Sequence, residues 1–164
     1  MSGFAIRRAQ PGDEALVLAF IRELAEYEKL LSSVRATEET VHASLFGENP
    51  RVFCDIAEAD GAPAGFALWF YNYSTFLARC GIYIEDLFVR PPFRGRGIGK
   101  GLILHLAKRA HEEACGRLEW SVLDWNAPSI AFYESLGARR VNGWSAYRLT
   151  EEAINTLNLS GKEE

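Results

Sequence analysis

The sequence predicts an α/β (α+β) domain, and three observations carry that prediction. Strand-like and helix-like segments alternate in the order β-α-α-β-β-β-α-β-α-β. Residues 51–58 and 65–73 read as an antiparallel pair turned at Asp60-Gly61-Ala62-Pro63. Residues 82–115 then pass from a buried strand through a glycine-rich turn directly into an apolar-periodic segment.

Taken in order, Phe4 to Arg8 alternates as a first strand, and Pro11-Gly12-Asp13 makes a turn with Asp13 as a candidate helix cap. Leu16, Phe20, Leu24, Tyr27 and Leu31 recur at helical spacing and form one apolar face. Thr37-Glu38-Glu39-Thr40 opens a second helix running to about Leu45, and the run from Phe46 to Pro50 breaks it. Ile82 to Val89 is rich in β-branched and aromatic residues, and Arg90-Pro91-Pro92 ends it because proline cannot donate to a ladder. A helix to about Cys115 follows, then a strand over 118–123 and a short helix from Pro128 to Leu136 closed by Gly137. A last strand over Trp144 to Leu149 and a final helix from Glu151 to Leu159 complete the chain. No repeat, linker or low-complexity tract divides it, so residues 1–164 are expected to form one domain.

Composition narrows the function. A chain of 164 residues with 48% apolar and 24% charged residues has globular proportions, which excludes disordered and fibrous classes. A net charge of −4 argues against a nucleic-acid partner and favours a cationic small molecule. Cys54, Cys80 and Cys115 are odd in number and widely spaced, which suggests neither a disulfide framework nor a zinc site. Cys80 and Cys115 lie in no activating context that would mark an acyl-carrying thiol. His111 and Cys115 share a helix face, but two ligands do not make a metal site. The N-terminus lacks a signal pattern and no apolar run approaches membrane length, so a cytoplasmic protein without a membrane partner is expected.

Arg94-Gly95-Arg96-Gly97-Ile98-Gly99 joins the buried strand to the helix, with Lys100 just beyond. Glycines at a strand-to-helix turn leave backbone amides unobstructed, and the positive end of a helix dipole stands behind them. The loop therefore suits a phosphate. It fits neither well-known phosphate fingerprint. Gly101 stands where a Walker loop needs Ser or Thr, and Lys100 or Leu102 falls on the third glycine of G-x-G-x-x-G.

What remains, R-G-x-G-I-G after a strand bearing Glu-Asp, resembles the pyrophosphate-binding loop of the GNAT superfamily of acetyl-CoA-dependent N-acetyltransferases. The segment from Leu123 to Ala138 resembles the family's N-x-x-[SA]-x-x-[FL]-Y-x-x-x-G-[FA] pattern, with Asn126, Ser129 and Tyr133 in register. The resemblance covers nearly the whole chain. It implies the GNAT fold, a mixed sheet of about six to seven strands with helices on both faces and a splayed fourth strand. It also implies acetyl-CoA as co-substrate, no metal, and a homodimer. Leu87, Phe88, Val89, Arg94, Gly95, Arg96, Gly97, Ile98, Gly99, Lys100, Asn126, Ser129 and Tyr133 are then the expected contacts to acetyl-CoA, with Asn126 at a strand end.

Tyr133 is expected to protonate the departing thiolate, since a phenol is neutral well above pH 7 and donates a hydrogen bond. A lone tyrosine in this position would otherwise read as a core residue with a wet tip. An amine nucleophile must lose a proton, and the resemblance favours Glu85 for that role, acting through water. Adjacent strand residues face opposite sides, so only one of Glu85 and Asp86 is expected to enter a given pocket. A solvated strand end, or pairing with Arg90, is the alternative for both. Backbone N–H groups of Leu87 to Val89 would meet the acetyl oxygen.

The stretches 22–30, 73–76, 83–86 and 122–126 resemble the spermidine/spermine and thialysine N-acetyltransferase branch. There the residues matching Tyr27 and Glu28 help bind the distal part of the amine, and Glu85 and Asp86 are expected substrate contacts as well. An aromatic face beside a carboxylate is a physical seat for an ammonium group, while a solvated helix charge is the plainer account of Glu28. Thr75 stands where the polyamine enzymes carry an acid, which turns the expectation toward a thialysine-like amino acid or a short diamine. A protein or peptide amine acetyltransferase and a non-catalytic acyl-CoA sensor are the alternatives.

Overall fold

The computed structural model describes residues 3–160. Five strands form one mixed sheet in the order β1-β2-β3-β4-β5. They are β1 (Phe4–Arg8), β2 (Phe53–Ala59), β3 (Ala62–Ser74), β4 (Arg79–Val89) and β5 (Leu118–Trp120). The first four pair antiparallel, and β5 runs parallel to β4. The helices are α1 (Glu14–Tyr27), α2 (Glu38–Phe46), α3 (Ile98–Glu112), α4 (Ala127–Ser135) and α5 (Glu151–Ser160).

The sheet separates two apolar layers because side chains alternate across each strand. Phe66 and Phe88 pack with Phe20 and Leu24 of α1 and with Val41 and Leu45 of α2, and Phe20 stacks on Phe66 at 5.1 Å between ring centroids. Trp69, an odd number of residues from Phe66, faces the other way, where the Arg109 guanidinium of α3 lies 5.4 Å from its ring centroid. Buried Asp55 shares that face: it accepts from the Trp69 indole N–H at 2.7 Å and lies 3.5 Å from both Arg8 and His105. Helices therefore cover both faces, as expected.

Four expectations need correction. The sheet has five strands among the described residues, not six or seven. Trp144 to Leu149 forms no strand there; Trp144 and Tyr147 are exposed, so the β-like alternation of this stretch is not backed by a pairing partner. The β2–β3 turn is the two-residue Asp60-Gly61, both at positive φ, and Pro63 belongs to β3. An Asp-Gly pair suits this tight hairpin, and a bulge at Ala57/Glu58 accommodates the proline. Finally, α1 stops at Tyr27 rather than Leu31, because Lys29 turns to φ 62° and leaves Leu30 and Leu31 exposed.

The chain divides into two compact units, one ending at Leu123 and one beginning at Asp124. The first holds the sheet with α1, α2 and α3. In the second, Asn126 caps α4 and Gly137, at φ 89°, closes it.

Candidate active site

In the first unit, β4 is the element on which the site is built. It pairs with β3 along its full length but with β5 only from Ile82 to Ile84. From Glu85 to Val89 its other edge has no β5 residue beside it, so the two parallel strands part at this point. Antiparallel pairing leaves alternate N–H groups pointing away from the partner strand, and Leu87, Phe88 and Val89 lie within this segment. Phe88 itself is buried in the core, so only its backbone is available for chemistry.

A bulge sits at the parting. Leu68 faces Asp86 and Trp69 faces Ile84, which leaves Glu85 as the extra residue. The strict alternation expected for Glu85 and Asp86 is thereby broken. Glu85 is exposed, whereas Asp86 is half-buried on the face of Leu68 and Phe88, toward α1. Burial, followed by the charges of Glu85 and Glu28, pushes the Asp86 carboxyl up to about 7. Burial raises Glu28 as well. Glu28 caps the C-terminal end of α1, so Glu28, Glu85 and Asp86 form an acidic group suited to an ammonium ion. Arg90 does not neutralise it, because its guanidinium is committed to Glu23 through contacts of 2.9 and 2.7 Å and stacks over Phe20.

A single 3₁₀ turn over Pro91–Phe93 leads from β4 into the glycine-rich loop. Gly95 and Gly97 take φ of 75° and 80°, and the space where a Cβ would stand is open at both. Gly97 is the N-cap of α3 with no side-chain cap, and no acidic residue lies in the first turn. The first amides of a 15-residue helix are thus left without intrahelical or capping acceptors, where a diphosphate group fits. The buried Ile98 side chain pins the start of the helix, while Gly99 and exposed Lys100 complete its opening turn.

The two loop arginines have distinct settings. Arg94 donates from Nε to the Val89 carbonyl at 2.8 Å, and its guanidinium lies 5.0 Å from the Tyr27 ring centroid and 5.5 Å from that of Phe88. It ties the loop to the end of β4 and to the end of α1. Tyr27 thus lies under a cation that belongs to the protein, beside the acidic Glu28. Arg96 is drawn toward the β2–β3 turn, where it pairs with Asp60. No spacing rule joins positions 94 and 27, or 96 and 60, so sequence patterning had no signal for either contact.

In the second unit, Asn126 is buried and accepts from the Ser129 N–H at 3.3 Å, which caps α4. It is a helix cap rather than a strand end, since β5 stops at Trp120. Tyr133 lies one turn beyond Ser129 on the same side of α4, with its ring 5.3 Å from that of Phe132. Among the described residues no group of three or more His, Cys, Asp or Glu could hold a metal ion.

Residues 18–138 match the model of the Acetyltransferase (GNAT) family. The chain is 40% identical to a thialysine N-epsilon-acetyltransferase of Sus scrofa, covering 96% of this chain and 98% of that protein. It is 33% identical to an L-ornithine N5-acetyltransferase of Arabidopsis thaliana, over 93% and 87% of the two chains. Among solved structures it resembles an integron cassette protein from the mobile metagenome of V. cholerae, with a TM-score of 0.79 and 29% identity, covering 95% of this chain and 98% of that one. An amide-lined helix start after a parted β4 and a full-length likeness to amine acetyltransferases converge, and the chain belongs to the GNAT acetyltransferase family.

Proposed function

We propose that this protein moves an acetyl group from acetyl-CoA to the primary amine of a small cationic substrate, a thialysine-like amino acid or a short diamine, by direct attack within a ternary complex. The uncapped, acid-free start of α3 carries the reading, because it offers an anion site next to an acidic group suited to a cation. Bound acetyl-CoA supplies the acetyl group already activated as a thioester.

The chain's own residues do the rest. The amides from Gly95 to Lys100 hold the diphosphate, with Arg94 keeping the loop against Val89 and Tyr27. Asn126 and Ser129 contribute to cofactor binding through the start of α4. Glu28 and Asp86 hold the charged amine, with Tyr27 at its distal part. Glu85, exposed at the bulge, accepts the amine proton through water, beside the Asp86 carboxyl that burial pushes up to about 7. N–H groups of Leu87 to Val89 meet the acetyl oxygen as charge builds on it. The Tyr133 phenol protonates the departing thiolate.

The names of the relatives support the substrate class, since thialysine and ornithine both carry an amine at the end of a short chain beside an amino-acid head. Family membership also leads us to propose a cytoplasmic homodimer, which sedimentation would test. The decisive assay is acetyl-CoA turnover across thialysine, lysine, ornithine, putrescine, spermidine and peptide amines. Highest kcat/KM on a short amine of the first four is expected; preference for peptide amines, or turnover on none, overturns the proposal.

A further inference from the structure

The fold brings together two cysteines that stand far apart in the chain. The Gly116 N–H donates to the Cys80 carbonyl at 2.8 Å, which places Cys115, one residue earlier, beside Cys80. Bond lengths added to this hydrogen bond limit the separation of the two Cα atoms to about 8.4 Å for a straight path, and the bends at the two carbonyl carbons shorten it. Disulfides form at Cα separations of roughly 4.4–6.8 Å. The surroundings hold the pair in place: a side chain at Gly116 would strike Leu77, and Cys115 donates its own N–H to Ala110 at 2.8 Å. Burial, then Glu113, then Cys80 push the Cys115 thiol up. Cys80 is exposed, Cys115 is half-buried, and Cys54 lies in the core.

We propose that Cys80 and Cys115 are a redox-active dithiol, which a peroxide converts into an intrachain disulfide closing the segment from 80 to 115. The chemistry takes two steps. The exposed Cys80 thiolate attacks a peroxide oxygen, the O–O bond breaks, water or an alcohol leaves, and Cys80 becomes a sulfenic acid. Cys115 then attacks that sulfur, the S–S bond forms, and water departs with the thiol proton. Two thiols are oxidised by two electrons and one peroxide is reduced. The ring so closed contains all of α3, the glycine-rich loop and β4 from Cys80 onward. Oxidation therefore fastens the far end of α3 to the start of β4 and leaves the anion-binding end free. The acyl-transfer reading is not needed for this proposal.

The test treats the whole reduced protein with hydrogen peroxide and counts thiols after denaturation. Free thiols are expected to fall from three to one, with a single monomer band on a non-reducing gel and a peptide linking Cys80 to Cys115. Thermal stability should rise on oxidation and return with dithiothreitol, because the closed loop restricts the unfolded chain. Cys115→Ser should halt at a Cys80 sulfenic acid trapped by dimedone, and Cys80→Ser should consume no peroxide at Cys115. Cys115→Ala is the second variant should the serine chain not fold. Sulfinic acid at Cys80 with Cys115 still a free thiol would overturn the proposal, as would a cross-link between two chains or one that uses Cys54.

Discussion

Helices α2 and α3 begin in opposite ways. At α2, Thr37 and Thr40 form a capping box, with the Thr40 N–H reaching the Thr37 hydroxyl at 3.2 Å and the Thr37 N–H reaching Thr40 Oγ1 at 2.9 Å. Glu38 and Glu39 add negative charge to its first turn. At α3 the cap is a bare glycine at φ 80°, the first turn has no acid, and Arg94 and Lys100 stand nearby. The first helix satisfies its own amides and dipole; the second leaves both for something else. The acids missing from the mouth of α3 gather instead around Asp86, where they suit a cation. Under the proposed function the mouth of α3 would take the diphosphate of the donor and the acidic group around Asp86 the ammonium of the acceptor.

Changes that break or sharpen this contrast follow in order of expected size. Tyr133→Phe should lower kcat by about 10²–10⁴-fold while the Kd for CoA stays near the wild-type value, since the anion end only binds. Stopped-flow turnover with calorimetric CoA binding separates the two, and unchanged kcat would remove Tyr133 from the chemistry.

Gly97→Asp gives α3 the kind of start that α2 has. There is open space for the side chain, and Asp tolerates positive φ better than most residues. The Kd for CoA is expected to rise roughly 10- to 100-fold as a fixed carboxylate takes the place of the diphosphate. A binding isotherm equal to wild type would mean that the diphosphate sits elsewhere.

Asp86→Asn probes the cation end through pH. The carboxyl is held to about 7 in the fold against an ordinary value of 3.8, so the folded chain keeps a proton that the unfolded chain has lost between those values. Wild-type stability should therefore fall as pH rises from about 4 to about 7, then level off. Denaturation curves should show the Asn variant equal to wild type near pH 4 and more stable by roughly 2–4 kcal/mol at pH 8. The rise of kcat/KM with an apparent pKa near 7 should vanish in the same variant. A constant stability difference across pH would contradict the assignment. Thr37→Ala is the smallest change: a loss of about 1 kcal/mol in stability, read by urea denaturation, with CoA affinity unaltered.

How much of this was legible beforehand depends on the range of the interaction. Local chemistry read well. The cap at Thr37, the Arg90-Pro91-Pro92 strand stop, the 94–99 loop and the Gly137 closure each follow from a few neighbouring residues, and the helices start and end within a few residues of expectation. The strand over Trp144 to Leu149 did not form among the described residues, because alternation supplies a strand face but not a partner. The bulge at Glu85 also escaped notice: two successive charged residues, Glu85 and Asp86, do not say which of them is the extra one or that the register shifts there. The Arg94–Tyr27, Arg96–Asp60 and Gly116–Cys80 contacts join positions with no fixed spacing, so they exist only once β4, α3 and the hairpins are in place.

The most direct test of the central claim is a CoA titration of the ¹⁵N-labelled protein followed by amide shifts. The largest and earliest changes are expected at the amides from Gly95 to Gly101, with those of Thr37 to Thr40 unmoved. Saturable CoA binding that leaves the 95–101 amides in place and shifts another cluster would contradict it.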